Sequence, residues 1–240
     1  MNFLEIVQYA ARESLVIEPG LPSTVVSQEG RLNNLVYYCA NEWKRIQNLR
    51  PDWKWMRRRT SFSTSAVAVI TSFSAAAIGI TRFGSWMKDR ERSDLSGTWY
   101  SFTYYLTSDG VAYEQQLPFM EYDLFNLTYL RGTQTAAPPQ AWSIDPQTGY
   151  ILIGPPSDAI YTIKCHYIIG EQTLSANTDE PEFPTKHHPM IAWGALRNFV
   201  RADEAPASVV ENAKDMYDDF FRALDREQYE QYEIGGQPIA

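Results

Sequence analysis

Three histidines and two cysteines are the residues best suited to proton transfer or nucleophilic attack: His166, His187, His188, Cys39 and Cys165. A nucleophile usually needs a base beside it, most often His. Cys165 and His166 are neighbours in "YTIKCHYIIG", a run that reads as a strand. Neighbours on a strand point to opposite faces, so these two do not form a pair by themselves. His187 and His188 precede Pro189 and read as the start of a helix. A metal site would need further ligands at suitable spacing, and the chain has no HxxxH or CxxC. It also lacks the phosphate-binding and hydrolase signatures GxxxxGK, GxGxxG, HExxH and GxSxG. Asp218 and Asp219 are consecutive on a helix and diverge, which suits a solvated face better than acid/base work. The expectation is a non-enzyme with no catalytic, cofactor-binding or metal-ligating residues.

One cluster could still recognise a partner. "WKRIQNLRPDWKWMRRR", residues 43–59, holds seven Lys or Arg against one acid, Asp52, and interleaves them with Trp43, Trp53 and Trp55. Basic and aromatic residues together can track a nucleic-acid backbone. They can equally meet an acidic protein surface or solvate one end of a helix. Arg57, Arg58 and Arg59 follow the break at Pro51, at the expected junction of two domains, and are expected to serve a protein contact.

The elements that position these residues follow from periodicity. Asn2 and Glu5 form a capping-box pattern for a helix over 2–14. Leu32, Leu35, Val36, Cys39, Trp43, Ile46 and Leu49 recur at three- and four-residue steps, giving a second helix that Pro51 ends. From Thr60 to Gly170, short β-rich runs alternate with turn residues. Asp145-Pro146-Gln147-Thr148-Gly149 is a hairpin signal, and "MEYDLFNLTYL" reads as one short helix. Helical spacing returns from Pro189 to about 202, apolar nearly all round. It then runs from Pro206 or Ala207, with Val210, Ala213, Tyr217, Phe220, Phe221 and Leu224 as the inward stripe. The fold class is therefore α+β: a discontinuous helical bundle from both chain ends, residues 1–59 and 186–240, with an inserted antiparallel β domain, residues 60–185. The bundle's tail is residues 228–240.

Residues 60–81 are uncharged and long enough to span a membrane, but nine of the 22 are Ser or Thr, so they are read as strands of a packed sheet. The opening residues lack the basic region of a signal peptide. Two distant cysteines point to a reducing compartment, with one long-range disulfide left open. The net charge of −8 disfavours a general nucleic-acid binder. Seven Trp and fifteen Tyr lean toward an assembly protein, because both residues are favoured in interfaces.

The order of features resembles the head-to-tail adaptor (connector) proteins of tailed bacteriophages, the short-tailed type. The segments that carry the resemblance include "MNFLEIVQYAARES", "IQNLRPDWKWMR", "LPFMEYDLFNLTYLRGT" and "PEFPTKHHPMIAWGALRNF". Together with "AWSIDPQTGYILIGPPSDAIYTIKCHYI" they extend over nearly the whole chain. Residues 60–98 and the tail after Arg226 carry it least. The resemblance implies a structural virion protein of the neck or tail, made in the host cytoplasm. It implies a homo-oligomeric ring of twelve below the portal protein, docking tail nozzle or fibre proteins. Genome DNA would pass through the lumen without sequence-specific binding, and no membrane is involved. In such adaptors the C-terminal segment docks on the portal, which makes Tyr229, Tyr232, Ile234 and Ile239 the expected portal-interface residues. The alternatives are another tail or capsid structural protein, or a glycan-binding tail protein using Trp99, Tyr100, Tyr104 and Tyr105.

Overall fold

The structure is a computed structural model, and it describes residues 1–14, 20–51, 53–92, 97–202 and 207–228. Within these the chain forms two compact units, a helical one from Met1–Met56 and the described chain from Glu171 onward, and a β-rich one from Arg57–Gly170.

In the helical unit, α1 (Phe3–Glu13) starts where the sequence places its cap. The Asn2 side chain accepts from the Glu5 N–H (2.9 Å), and the Asn2 N–H donates to the Glu5 carboxylate (3.0 Å). Such a box satisfies two donors that a helix start otherwise leaves open. Its inward face, Phe3, Ile6, Val7 and Ala10, is buried. The second helix, α2 (Gly30–Asn48), buries Leu35, Cys39, Trp43 and Ile46 as the spacing predicts, whereas Leu49 at its end is exposed.

After the β unit, the chain returns through an irregular stretch tied down by side chains. The Asn177 carboxamide oxygen accepts from the Val25 N–H (2.7 Å). The Asp179 carboxylate accepts from the N–H groups of Ser175 (2.6 Å) and Ala176 (2.7 Å). These amide donors hold the Asp179 carboxyl below its ordinary range.

A short helix, α3 (Tyr122–Phe125), belongs to the β unit, and α4 (Pro189–Ala202) and α5 (Ala207–Gln228) close the helical one. Helix α4 packs against α1, α2 and α5, and Met190 to Leu196 are buried without a break. A helix apolar on every side needs neighbours on every side, and it is the centre of this unit.

The β unit is built around one long strand. Its sheet residues, in chain order, are β1 (Arg57–Ser63), β2 (Ser72–Phe73), β3 (Phe83–Trp86), β4 (Arg90–Arg92), β5 (Gly97–Trp99), β6 (Phe102–Leu106), β7 (Gln115–Leu117), β8 (Ala141–Ile144), β9 (Ile151–Gly154) and β10 (Tyr161–Ile169). The order in the main sheet is β1-β10-β6-β7, with β3 also on β10. A second sheet runs β2-β9-β8, β4 pairs β5, and all these pairings are antiparallel. Tyr161, Ile163 and Cys165 alternate into the core with Phe62, Phe102, Trp142 and Ile151. Phe102 stacks on Trp142 at 3.7 Å between ring centres. Burying each such side chain contributes about 1.5–3 kcal/mol.

The β8–β9 hairpin forms as its sequence signals. Asp145 accepts from the Gln147 N–H (2.9 Å) and the Thr148 hydroxyl (2.7 Å), and Gly149 takes φ of 72°. Residues 60–81 are mostly not strand: β1 ends at Ser63, β2 has two residues, and turns occupy much of the rest. The small and hydroxyl residues there serve loops as readily as sheets. The stretch read as one short helix is α3 continued by a π-type turn over Asn126–Leu130. No helix among the described residues is long and apolar enough to cross a membrane.

Candidate interaction surfaces

The basic run at 43–59 divides between the two units, with Lys44 to Lys54 in the helical one and Arg57 to Arg59 in the other. Arg45 turns to Glu42 in the helical unit, with Nε to Oε2 at 2.8 Å and Nη2 to Oε1 at 2.5 Å. Arg50 pairs with Asp225 at 2.5 Å and lies over the Trp53 ring. The three tryptophans are packing residues. Trp43 stacks on Trp55 (5.3 Å), and the Trp53 indole N–H donates to the Ile46 carbonyl (2.9 Å). Neither Trp43 nor Trp53 is exposed to stack on a base.

Glu42 was not singled out by periodicity, yet it is only 2% exposed. It fits because α4 carries Gly194 opposite it: a Cβ there would sit 2.5 Å from Glu42 Cδ and 2.6 Å from Cγ. The Tyr217 ring from α5 is flanked by two guanidiniums, Arg197 (4.6 Å) and Arg45 (5.1 Å). Burial, reinforced by the nearby Glu42 carboxylate, pushes the Tyr217 hydroxyl up to about 12. The cluster links α2, α4 and α5 by charge.

The arginine triple lies on β1 and is split by the pleat. Arg57 and Arg59 stand opposite Ile168 and His166, and Arg58 opposite Tyr167. Alternation therefore puts Arg57 and Arg59 on one face with His166 and Lys164, and Arg58 on the face that carries the core. Burial, then Arg59 and Arg57, lowers the His166 pKa, consistent with a shared face. Trp99 packs edge-on against His166 (5.2 Å). On the same face the Lys164 ammonium pairs with Glu114 (2.5 Å).

The backbone of β1 is the feature that sequence spacing did not reveal. The Thr64 N–H donates to the Tyr161 carbonyl (2.8 Å), directly opposite it in the continued register. Opposed residues of an antiparallel pair bond at every second position. Arg58, Thr60 and Phe62 thus bond β10, and the backbone groups of Arg59, Ser61 and Ser63 point to the other side. No strand among the described residues pairs there, and all three residues are exposed. A second unforeseen surface is apolar: Leu124 is 55% and Leu127 59% exposed. Their helix is held by Phe125 and Tyr129, which close on Gly154 so tightly that a Cβ there would meet Tyr129 at 2.7 Å.

The residues suited to chemistry are engaged structurally. Both cysteines are free and buried; burial pushes the Cys165 thiol up to about 12 and raises Cys39 as well. Thiols of this kind are poor nucleophiles. The His187 Nε2 lies 2.7 Å from Glu227, and the His188 Nε2 lies 3.1 Å from the Phe183 carbonyl. Among the described residues no three His, Cys, Asp or Glu are grouped to hold a metal ion. Of the aromatics considered for sugar stacking, Trp99 and Tyr104 pack on His166 and Tyr161, and Tyr105 lies under Lys164. Tyr229, Tyr232, Ile234 and Ile239 lie outside the described residues.

An α+β chain whose polar residues serve packing and whose open features are a strand edge and an apolar helix face has the make-up of a structural protein. The family model of the SU10 adaptor protein matches residues 1–237, and the chain belongs to that family. It is a bacteriophage head-to-tail adaptor, a structural protein of the virion. A search of curated proteins finds no match.

Proposed function

We propose that the protein forms a ring, of twelve copies, below the portal protein, extends the DNA channel and docks nozzle or fibre proteins of the tail. The observation that carries this reading is the family match along residues 1–237. The acidic balance supports it: each copy adds −8, and a ring of such charge discourages DNA from adhering as it passes. Arg57, Arg58 and Arg59 serve protein contacts, and the tail with Tyr229, Tyr232, Ile234 and Ile239 is a docking segment, with the portal as its target. The protein is made in the host cytoplasm and assembles into the neck.

Assembly is conditional in this reading, because an obligate oligomer usually exposes one large apolar surface. The exposed large apolar residues of the described chain fall instead at scattered positions such as Tyr37, Val69, Leu124 and Ile160. Purified alone, the protein is expected to be a monomer or small oligomer by light scattering, and to form a ring when portal is added. A stable twelve-subunit ring without portal contradicts conditional assembly; no ring with portal, seen by electron microscopy, contradicts the adaptor-ring reading itself.

A further inference from the structure

The outward stripe of α2 is not one that a helix needs for its own stability. Asn34, Tyr37, Asn41 and Lys44 recur at steps of three and four, on the side away from the buried Leu35, Cys39 and Trp43. Asparagine is a weak helix former, and open helix positions are better served by Ala, Glu, Lys or Arg. Among the described residues, the Asn34 and Asn41 carboxamides and the Lys44 ammonium make no hydrogen bond or ion pair. No Asp or Glu stands in the stripe, and Tyr37 is 62% exposed. The face therefore offers unused donors around one aromatic ring.

Helix α5 carries matching acceptors. Glu211, Asp215 and Asp219 are exposed and four residues apart, with Asp218 beside them. Like charges at that spacing weaken a helix, so this stripe too serves something other than its own element. Among the described residues Glu211 and Asp215 make no hydrogen bond or ion pair, and Asp219 reaches only Arg222, at 4.0 Å. The two stripes do not meet within one chain. Tyr217 turns from α5 toward α2, where Arg45 lies 5.1 Å from its ring. Asp215 comes two residues earlier, which places it roughly 200° around the helix and away from α2.

We infer that the stripe of Asn34, Tyr37, Asn41 and Lys44 is a docking face, and that its occupant is the acidic stripe of α5 in a second copy of this chain. The inference rests on the ring reading and names the contact between neighbouring copies. Carboxamide and ammonium donors meet ionised carboxylates, which gives the stronger class of hydrogen bond. Tyr37 adds contact area at low rotamer cost. Complementary charge also lets copies that each carry −8 approach at this point without repulsion. Donor and acceptor stripes are different surfaces of one chain, so the contact is head-to-tail, the kind that closes rings. It is small and polar, which suits copies that stay apart until the portal gathers them.

The test cross-links the intact protein, both free and after addition of portal. Cys39 and Cys165 are buried, so an added surface cysteine is the one that reacts. Asn34→Cys and Glu211→Cys copies are mixed in equal amounts and treated with a short bis-maleimide. The mixture is expected to give about tenfold or more linked dimer than either variant alone, or than Asn34→Cys mixed with Gln147→Cys from the β8–β9 turn. Asp215→Lys with Asp219→Lys in the Glu211→Cys copy should lower the yield about tenfold, and Lys44→Glu in the Asn34→Cys copy should restore it. None of these positions is buried, and circular dichroism checks the fold. If the double lysine variant does not fold, loss of yield with Lys44→Glu alone decides. Three results overturn the inference: a mixture no better than its controls with and without portal; equal linking by one variant alone; or a yield that charge reversal does not lower. Ring formation on portal is scored separately by electron microscopy. A ring without these links overturns the contact, whereas links without any ring overturn the ring reading.

Discussion

Gly194→Ala should destabilise the helical unit, although replacing glycine by alanine inside a helix ordinarily stabilises by about 1 kcal/mol. The opposing effect comes from Glu42. An added Cβ would lie 2.5 Å from its Cδ, a distance that non-bonded carbons do not adopt. The carboxylate is not free to swing aside, since its side chain is 1% exposed and both oxygens bond Arg45. Overpacking of this kind costs about 1–3 kcal/mol. Losing a charge-assisted hydrogen bond costs about 1.5–3 kcal/mol more, and the lower part of that range applies because Arg45 is 39% exposed. Subtracting the helix-propensity gain leaves a net loss of about 1.5–4 kcal/mol. Urea unfolding followed at 222 nm would report it as a lower midpoint. In a Glu42→Ala background the same substitution should become neutral or stabilising, because the obstructing carboxylate is gone. A single Gly194→Ala variant that is more stable than the parent would refute the reasoning.

Stability should fall on acidification from neutral pH. His188 is held below its ordinary value of 6.5, mainly by burial, so the folded ring stays neutral while the unfolded one takes up a proton near 6.5. Its contribution is complete above that value and is lost as pH falls toward the folded one. Glu227, lowered mainly by its bond from Lys186, and Asp179 act in the same direction at lower pH. Thermal melts at pH 7.5, 6 and 5 should show a decline that His188→Gln flattens between the first two; a parent curve flat to pH 5 would count against this. Charge reversal of Arg57, Arg58 and Arg59 together is expected to impair assembly on portal. If assembly is intact and only salt-dependent DNA retention changes, their role as a protein contact is wrong.

Helix positions were legible in the sequence because their cause is local. The Asn2–Glu5 box, the step of three and four through Trp43, and Pro189 at a helix start all act within a few residues, and each forms where its residues stand in the chain. The hairpin at Asp145 is local in the same sense. The α+β class followed from the change of period along the chain. What periodicity could not supply was the partner of each surface. The basic run looked like one patch because its residues are adjacent in sequence. Folding divides it, since Arg45 and Arg50 find carboxylates within the helical unit and the pleat of β1 separates Arg58 from Arg57 and Arg59. A buried glutamate at position 42 is invisible without knowing that Gly194 makes room for it. The edge position of β1 is equally a property of strand order: among the described residues β10 has neighbours on both sides and β1 on one, and long-range pairing alone decides where a sheet ends.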